Sequence, residues 1–236
     1  MISRLKKAAW ITRNYLSGYY ESAYPSYSQT GEDMIVRAMF DRLSIRRPSY
    51  LDIGGNHPFF LSNTAYFYMA GSSGVVVEPN SELASQLTKV RHRDTVLNAG
   101  VGWDDRTSAV FHLFDPNVLS TFDPEAAEAF EKQGRRLVSK TEVPLAHINS
   151  ILDDNFDKTD LNLLSLDIEG GESEVLKAFS FSSHRPEIII VETWQSHSGT
   201  FNQETVRVLE DNGYTPVVDL KPNQIFLTRH AAQQVC

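Results

Sequence analysis

The chain reads as an α/β protein: a mostly parallel sheet with helices on both faces, closed by an antiparallel edge strand. Three observations predict it. From residue 48 onward, short apolar runs rich in Val, Ile and Leu alternate with helical patterns, the order a parallel sheet needs because each strand must return through a crossover. The run PEIIIVET is almost wholly apolar, as an interior strand covered on both faces requires. Near the C-terminus, YTPVVDL and NQIFLTR are separated only by KPN, a hairpin-like turn. A parallel sheet finished in this way is a common variant of the doubly wound architecture.

Taken in order, YSQTGED (residues 27–33) starts a helix, with Thr30 as N-cap and Glu32 and Asp33 in the first turn, where acids complement the helix dipole. The first strand is Tyr50–Ile53, and a helix follows over residues 64–70. SGVVVEPN supplies the second strand at residues 75–78. Residues 82–91 form a helix with Leu83, Leu87 and Val90 on one face. TVLNAGVG is one third strand, and TSAVFHLF is a further strand that simple alternation does not require. Residues 115–140, DPNVLSTFDPEAAEAFEKQGRRLVSK, interrupt the pattern with a polar loop and one short helix; long insertions of this kind are often lids. LNLLSLDIEGGE holds the fourth main strand, and its glycines open a helix over residues 173–179. A last helix, residues 202–212, ends at Gly213.

A length of 236 residues suits one domain with a substantial core. A hydrophobic fraction of 41% with 22% charged residues belongs to a globular chain rather than a disordered one. The net charge of −8 argues against nucleic acid as the main partner, because neutralising phosphates needs a basic face. The single cysteine, Cys236, excludes an intrachain disulfide framework. No apolar run approaches the roughly 18 residues of a spanning helix, so no transmembrane segment is expected and the cytoplasm is the expected location. The first twenty residues hold Arg4, Lys6, Lys7 and Arg13 and no acid, with Leu5, Ala8, Ile11 and Tyr15 at helical spacing. That pattern predicts a basic amphipathic helix, packed on the domain or lying on a membrane surface. The expected division is therefore an N-terminal helix within residues 1–26, one domain over 27–230 and a short tail at 231–236.

In an open parallel sheet, ligands bind beyond the carboxyl ends of the strands. Here those ends carry Asp52, Glu78, Asn98, Asp167 with Glu169, and Glu192, which together read as one lined crevice. A dinucleotide site wants Gly-x-Gly-x-x-Gly at the first turn. This turn is Gly54-Gly55-Asn56-His57-Pro58-Phe59, bulky where the later glycines belong, and its proline removes a donor that a phosphate would use. Asp52 would repel a phosphate and suits a ligand that presents a cation. S-adenosylmethionine does so through its ammonium and sulfonium groups, and Glu78 is then placed to accept both ribose hydroxyls.

YSQTGED, YLDIGGNHPFF, VVVEPN and LLSLDIEGGESEVLKAF, in this order, resemble the FkbM family of S-adenosylmethionine-dependent methyltransferases. The resemblance spans residues 27–229. It implies a Rossmann-like class I methyltransferase fold with a seven-stranded sheet, and O-methylation of hydroxyls on sugars or polyketides. By the same resemblance Asp52, Gly54 and Asn56 contact the methionine part of the cofactor and Glu78 holds the ribose. Asn98 and Gly100 lie near adenine or ribose, and Ser120 reaches the same ligand from the insertion. The expected acceptor is a hydroxyl of a small molecule or glycan; sugar-directed relatives include enzymes that 2-O-methylate fucose on nodulation signals.

LDIEGGE has its own chemistry. Asp167 and Glu169 flank Ile168, and on a strand their side chains would share a face, raising one pKa unless a cation intervenes. They suit a general base for the acceptor hydroxyl, ligands for a divalent metal, or orientation of the reactants, while Glu172 caps the following helix or joins the site. His197, in the loop after the fifth strand, is a further base candidate; His57, on the cofactor turn, suits packing better. Trp194, Tyr66, Phe67 and Tyr68 are either sugar-stacking faces or ordinary core, and Gln29 and Glu32 are expected to face the pocket. Two rivals stand beside the methyltransferase: a nicotinamide-dependent oxidoreductase, and a non-catalytic binding protein on the same fold.

Overall fold

The computed structural model describes residues 24–157, 161–195 and 199–235. Helices and strands alternate first as α1 (Glu32–Arg42), β1 (Tyr50–Ile53), α2 (Ala65–Met69), β2 (Gly74–Val77), α3 (Ser81–Val90) and β3 (Thr95–Leu97). An arm follows: β4 (Gly100–Gly102), β5 (Ser108–Asp115), a 3-10 turn (Asn117–Leu119), α4 (Pro124–Lys132) and β6 (Arg136–His147). Alternation resumes with α5 (Ile148–Asn155), β7 (Leu163–Leu166), α6 (Glu172–Ala178) and β8 (Ile188–Glu192). A small pair, β9 (Trp194–Gln195) and β10 (Thr200–Phe201), precedes α7 (Gln203–Asp211), β11 (Tyr214–Asp219), β12 (Asn223–Thr228) and α8 (Arg229–Val235).

The main sheet has seven strands in the order β11-β12-β8-β7-β1-β2-β3. All neighbours are parallel except the last two strands, where β12 runs antiparallel to both β8 and β11. From β1 the chain winds outward to β2 and β3, and later returns on the other side of β1 as β7 and β8. The β1/β7 boundary is therefore the switch point at whose carboxyl end a ligand crevice opens.

Strand alternation divides the core. Leu51 and Ile53 point to one face with Val75, Val77, Leu164, Leu166, Ile189 and Val191, under α5, α6 and α7. Tyr50, Val76, Leu163, Ile188, Ile190, Ile225 and Leu227 point to the other, under α1, α2, α3 and α8. Every residue of β1, β7 and β8 is buried, as expected where helices cover both faces.

Four expectations are corrected. The first helix is capped not by Thr30 but by Gly31, whose φ of 95° is left-handed; Thr30 instead donates from its amide and hydroxyl to the Glu32 carboxylate. TVLNAGVG is not one strand. Asn98 donates from Nδ2 to the carbonyls of Glu78 and Pro79, which pins the chain there, and Gly100 then starts β4 in another sheet beside β6. The insertion holds more than a loop and a helix. β5 and β6 pair antiparallel from Ser108↔Pro144 to Asp115↔Arg136, and α4, capped by Asp123, shares a small core of Phe114, Ala126, Ala127 and Phe130. Residues 231–235 are not a tail: they continue α8, whose Ala231 and Val235 pack into the core. The predicted N-terminal amphipathic helix lies outside the described residues.

Candidate active site

At the switch point two turns cross almost in contact. Gly54 follows β1 with φ 87°, and a Cβ there would stand 1.8 Å from the carbonyl oxygen of Asp167, at the end of β7. A Cβ on Gly55 would stand 2.2 Å from Val76 Cγ1. The glycine pair is thus required by backbone crossing and packing, whatever ligand lies above it.

Above these turns opens a cavity of about 530 Å³, within the usual range of small-molecule sites. Gly54, Asn56, Glu78, Gly100, Ser120, Asp167 and Glu169, all expected site residues, line it. Glu78 is buried, and its two oxygens accept from Asn56 N and Asn80 N, each at 2.7 Å. Burial pushes its carboxyl up to about 7 against the opposing pull of those amides. Asn80 also caps α3, accepting from Glu82 N at 3.0 Å. The arm supplies the opposite wall through Leu119, Ser120, Phe122 and Asp123. Ser120 Oγ accepts from Phe114 N at 3.0 Å, and the Phe122 ring lies on Gly100, where a Cβ would approach within 2.5 Å.

The floor is acidic. β7 ends at Leu166, and Glu169 has a left-handed φ of 54°, so Asp167 and Glu169 meet through a turn rather than along a strand. Glu172 builds that turn: its Oε1 accepts from Ile168 N and Gly170 N. Gly171 N-caps α6, and a Cβ on it would touch Trp103 at 3.0 Å. Thr121, from the arm, donates to the Glu169 carbonyl at 2.8 Å. Oxygens of Asp167, Glu169 and Glu192 lie within 4.8 Å of one another.

Two expected cofactor contacts do not reach the cavity wall. Asp52 is buried beneath the turn: Thr64 Oγ1 donates to its Oδ2, and Asn63 Nδ2 donates to the neighbouring Ser165 Oγ at 3.2 Å. The cause is the strand's two-fold period, which turns Asp52 to the same face as Tyr50, toward α2 and α3. There Arg91, 0% exposed, donates from Nη2 to Thr64 Oγ1 and Tyr50 Oη, both at 2.9 Å, and from Nε to Asp94 Oδ2 at 2.7 Å. Burial raises the Asp52 carboxyl, with the Arg91 charge and the Thr64 hydroxyl opposing. Asn98 is exposed and serves the turn carbonyls already described. His57 accepts from Phe59 N and Phe60 N, a local turn role, and is not on the wall. His197 lies outside the described residues. Phe67 and Tyr68 are core, and Trp194 carries Lys221 Nζ 3.4 Å above its ring.

A family model described as the methyltransferase FkbM domain matches residues 52–216. The chain belongs to the FkbM methyltransferase family. No curated protein sequence matches this methyltransferase. Among solved structures it is similar to a TehB-like SAM-dependent methyltransferase from Corynebacterium glutamicum, with a TM-score of 0.46 and 11% identity over 94% of this chain and 100% of that one. It is also similar to a precorrin-6y C5,15-methyltransferase from Geobacter metallireducens (TM-score 0.42, 14% identity, 82% and 84%). A third is the 1,6-didemethyltoxoflavin-N1-methyltransferase of Burkholderia thailandensis, crystallised with S-adenosylhomocysteine (0.37, 12%, 96% and 89%). At such identities these likenesses say nothing of substrate.

The site's donor set fits S-adenosylmethionine, the cofactor that the family resemblance implies. The crossing at Gly54 leaves bare backbone facing the cavity, the Glu78 carboxylate is fixed with lone pairs to spare for two hydroxyls, and the acidic floor suits a cation. That floor has unusual proton affinity. Burial first, then the charges of Glu172, Asp52 and Glu32, push Asp167 up to about 7. Burial and the charges of Asp167 and Glu172 push Glu169 up to about 9, and Glu192, hydrogen-bonded to Asp167, is raised in the same sense by burial and its neighbours. The expected raising of one member of the pair is thus shared by three carboxyls. The arm residues Leu119, Phe122 and Asp123, and the Arg91 network, were not singled out from the sequence, because they join the site through the fold of an insertion and through long-range contacts.

Proposed function

We propose that the chain transfers the methyl group of S-adenosylmethionine to a hydroxyl oxygen of a sugar or another small glycosylated molecule. The observation that carries this reading is the convergence of Asp167, Glu169 and Glu192 on the cavity floor with raised proton affinity. When bound, S-adenosylmethionine would supply the methyl group, its carbon–sulfur bond breaking with the electron pair left on sulfur as the carbon–oxygen bond forms. Glu78 accepts its ribose hydroxyls, and Gly54 and Asn56 border its methionine part. Gly100, Ser120 and Phe122 border the adenosine. Asp52 positions the turn from below through Thr64 instead of touching the ligand.

A sugar hydroxyl is a weak nucleophile, so a positioned base helps as the bond forms. Asp167, poised near neutrality, takes the hydroxyl proton. Glu169, protonated below about pH 9, donates a hydrogen bond that orients the acceptor or its neighbour. Most of the acceleration would come from the cavity walls holding acceptor and methyl donor in position for displacement. The narrower expectation, 2-O-methylation of a fucosyl or other deoxyhexosyl group as in nodulation-signal decoration, rests on the family resemblance.

The test is incubation with methyl-labelled S-adenosylmethionine and a panel of deoxysugar conjugates, with mass analysis of the products and calorimetric titration of S-adenosylhomocysteine against NAD. Label on a hydroxyl oxygen supports the reading. Cofactor binding without label on any acceptor points to a non-catalytic binder, and binding of NAD alone overturns the choice of cofactor.

A further inference from the structure

Counting along β8 and β12 from their buried residues shows where Glu192 and Asn223 point. Glu192 continues the side of Ile188 and Ile190, and Asp167, on the turn after β7, lines the cavity hydrogen-bonded to it. Asn223 begins β12 on the side of Ile225 and Leu227, directly paired with Glu192. The three side chains form a row across the carboxyl end of the sheet, with Glu192 and Asn223 toward α1. Glu32, 0% exposed, faces the row from that helix and acts electrostatically on Asp167.

Among the described residues of the cavity lining, no basic side chain pairs with this row. Asp167, Glu169 and Glu192 bring oxygens within 4.8 Å of one another, inside the roughly 5 Å separating oxygens on opposite sides of a Ca²⁺ ion. Among the described residues lining the cavity, Arg106 is the one basic side chain, and Asp104 holds it at 2.9 Å. A second observation is independent of the carboxylates. Asn223 is 2% exposed, and its Oδ1 has no hydrogen-bond partner. The amide cannot be turned over to hide this oxygen, because Nδ2 donates at 2.8 Å to Glu32 Oε1, a pure acceptor when ionised. Burial alone would raise the Glu32 carboxyl, but the bonds from Asn223 and Thr30 bring it below its ordinary value. A buried amide oxygen left open on the residue paired across the sheet with Glu192 is what a hard cation uses.

We infer that Asp167, Glu169 and Glu192, with the side-chain oxygen of Asn223, form a binding site for a hard divalent cation such as Mg²⁺, Mn²⁺ or Ca²⁺ on the cavity floor. The proton-accepting and proton-donating roles given above to Asp167 and Glu169 belong to the cation-free site; a bound cation would hold both ionised and would itself orient the acceptor oxygen. The site does not depend on the acceptor proposed above.

The test is titration of the full chain with Mn²⁺, read by loss of the free-ion electron paramagnetic resonance signal, with S-adenosylhomocysteine binding measured on the same samples. Wild type is expected to take up one Mn²⁺ that Mg²⁺ or Ca²⁺ displaces. Glu192→Gln should weaken binding by about tenfold or more, and Glu128→Gln, on the outer face of α4, should bind as wild type does. Wild type that leaves the free-ion signal intact at millimolar Mn²⁺ overturns the site, as does undiminished binding by folded Glu192→Gln. If Glu192→Gln does not fold, the wild-type displacement experiment decides alone. A chain that binds S-adenosylhomocysteine and transfers methyl but ignores Mn²⁺ loses the metal site and keeps the methyl-transfer reading. Specific Mn²⁺ uptake without methyl transfer keeps the site and ends that reading.

Discussion

Replacing Arg91 with methionine keeps the aliphatic stem and removes a buried charge that serves three partners, Asp94, Tyr50 and Thr64. Arg91 and Asp94 both have side chains 0% exposed. Asp94 also accepts from Tyr50 Oη at 2.7 Å and Gly74 N at 3.0 Å, while Thr64, a second Arg91 partner, holds Asp52. Breaking one side of such a buried pair costs about 3–5 kcal/mol, because the abandoned carboxylate stays uncompensated. In a chain of this size 1 kcal/mol moves the midpoint by roughly 2–4 °C, so the expected loss in Tm is about 6–20 °C. Urea unfolding of wild type, Arg91→Met, Asp94→Asn and the double variant measures it. The double variant should lose less than the two single losses together, by about 1–3 kcal/mol, since the second change removes the charge the first left stranded. Arg91→Met should also weaken S-adenosylhomocysteine binding, because Thr64 and Asp52 lose their anchor beneath the Gly54 turn. A loss below about 1 kcal/mol, or strictly additive variants, would refute the claim that this network is a coupled buried unit.

Gly54→Ala places a methyl group 1.8 Å from the Asp167 carbonyl oxygen at φ 87°; circular dichroism and cofactor titration should report a chain that unfolds or cannot bind, and near-wild-type affinity would contradict the crossing. Glu169→Gln should spare S-adenosylhomocysteine affinity and lower turnover by about 10²–10⁴-fold if it belongs to the acid–base machinery, a split that single-turnover assays resolve. The rate of methyl transfer should rise as pH climbs through about 7, where Asp167 ionises. Stability should run the opposite way. Folded-state values of about 7 for Asp167 and about 9 for Glu169 lie above their ordinary ones, so the ligand-free fold holds its full stability below the unfolded pKa near 4 and loses it as pH rises through 7 to 9. Denaturation across that window should show the decline, and Asp167→Asn should flatten it.

Much of the scaffold was legible in the residues. Tyr50–Ile53, Ile188–Glu192, the closing pair and the helix before Gly213 are continuous apolar runs or capped amphipathic segments, and local periodicity decides those. The boundaries that failed were settled by distant partners. Asn98 splits the third strand because it bonds back to the Glu78 carbonyl, and residues 136–147 became a strand because β5 offered an antiparallel edge. A polar, alternating run like RLVSKTEVPLAH carries little apolar signal of its own.

The chain's order of residues by itself determined the family, the parallel sheet and the set of polar groups at its carboxyl edge, because strand period and turn chemistry are local properties. It did not determine which of those groups face the ligand. Asp52 and Asp167 both sit at strand ends, yet β1 turns one downward onto Thr64 while the β7 turn lifts the other into the cavity. Nor did it join Asn223 to Glu32 across 191 positions, or bring the arm's Phe122 onto Gly100. Only tertiary structure decides such contacts, since the sheet's register and the packing of helices on its faces bring together side chains that no local pattern relates.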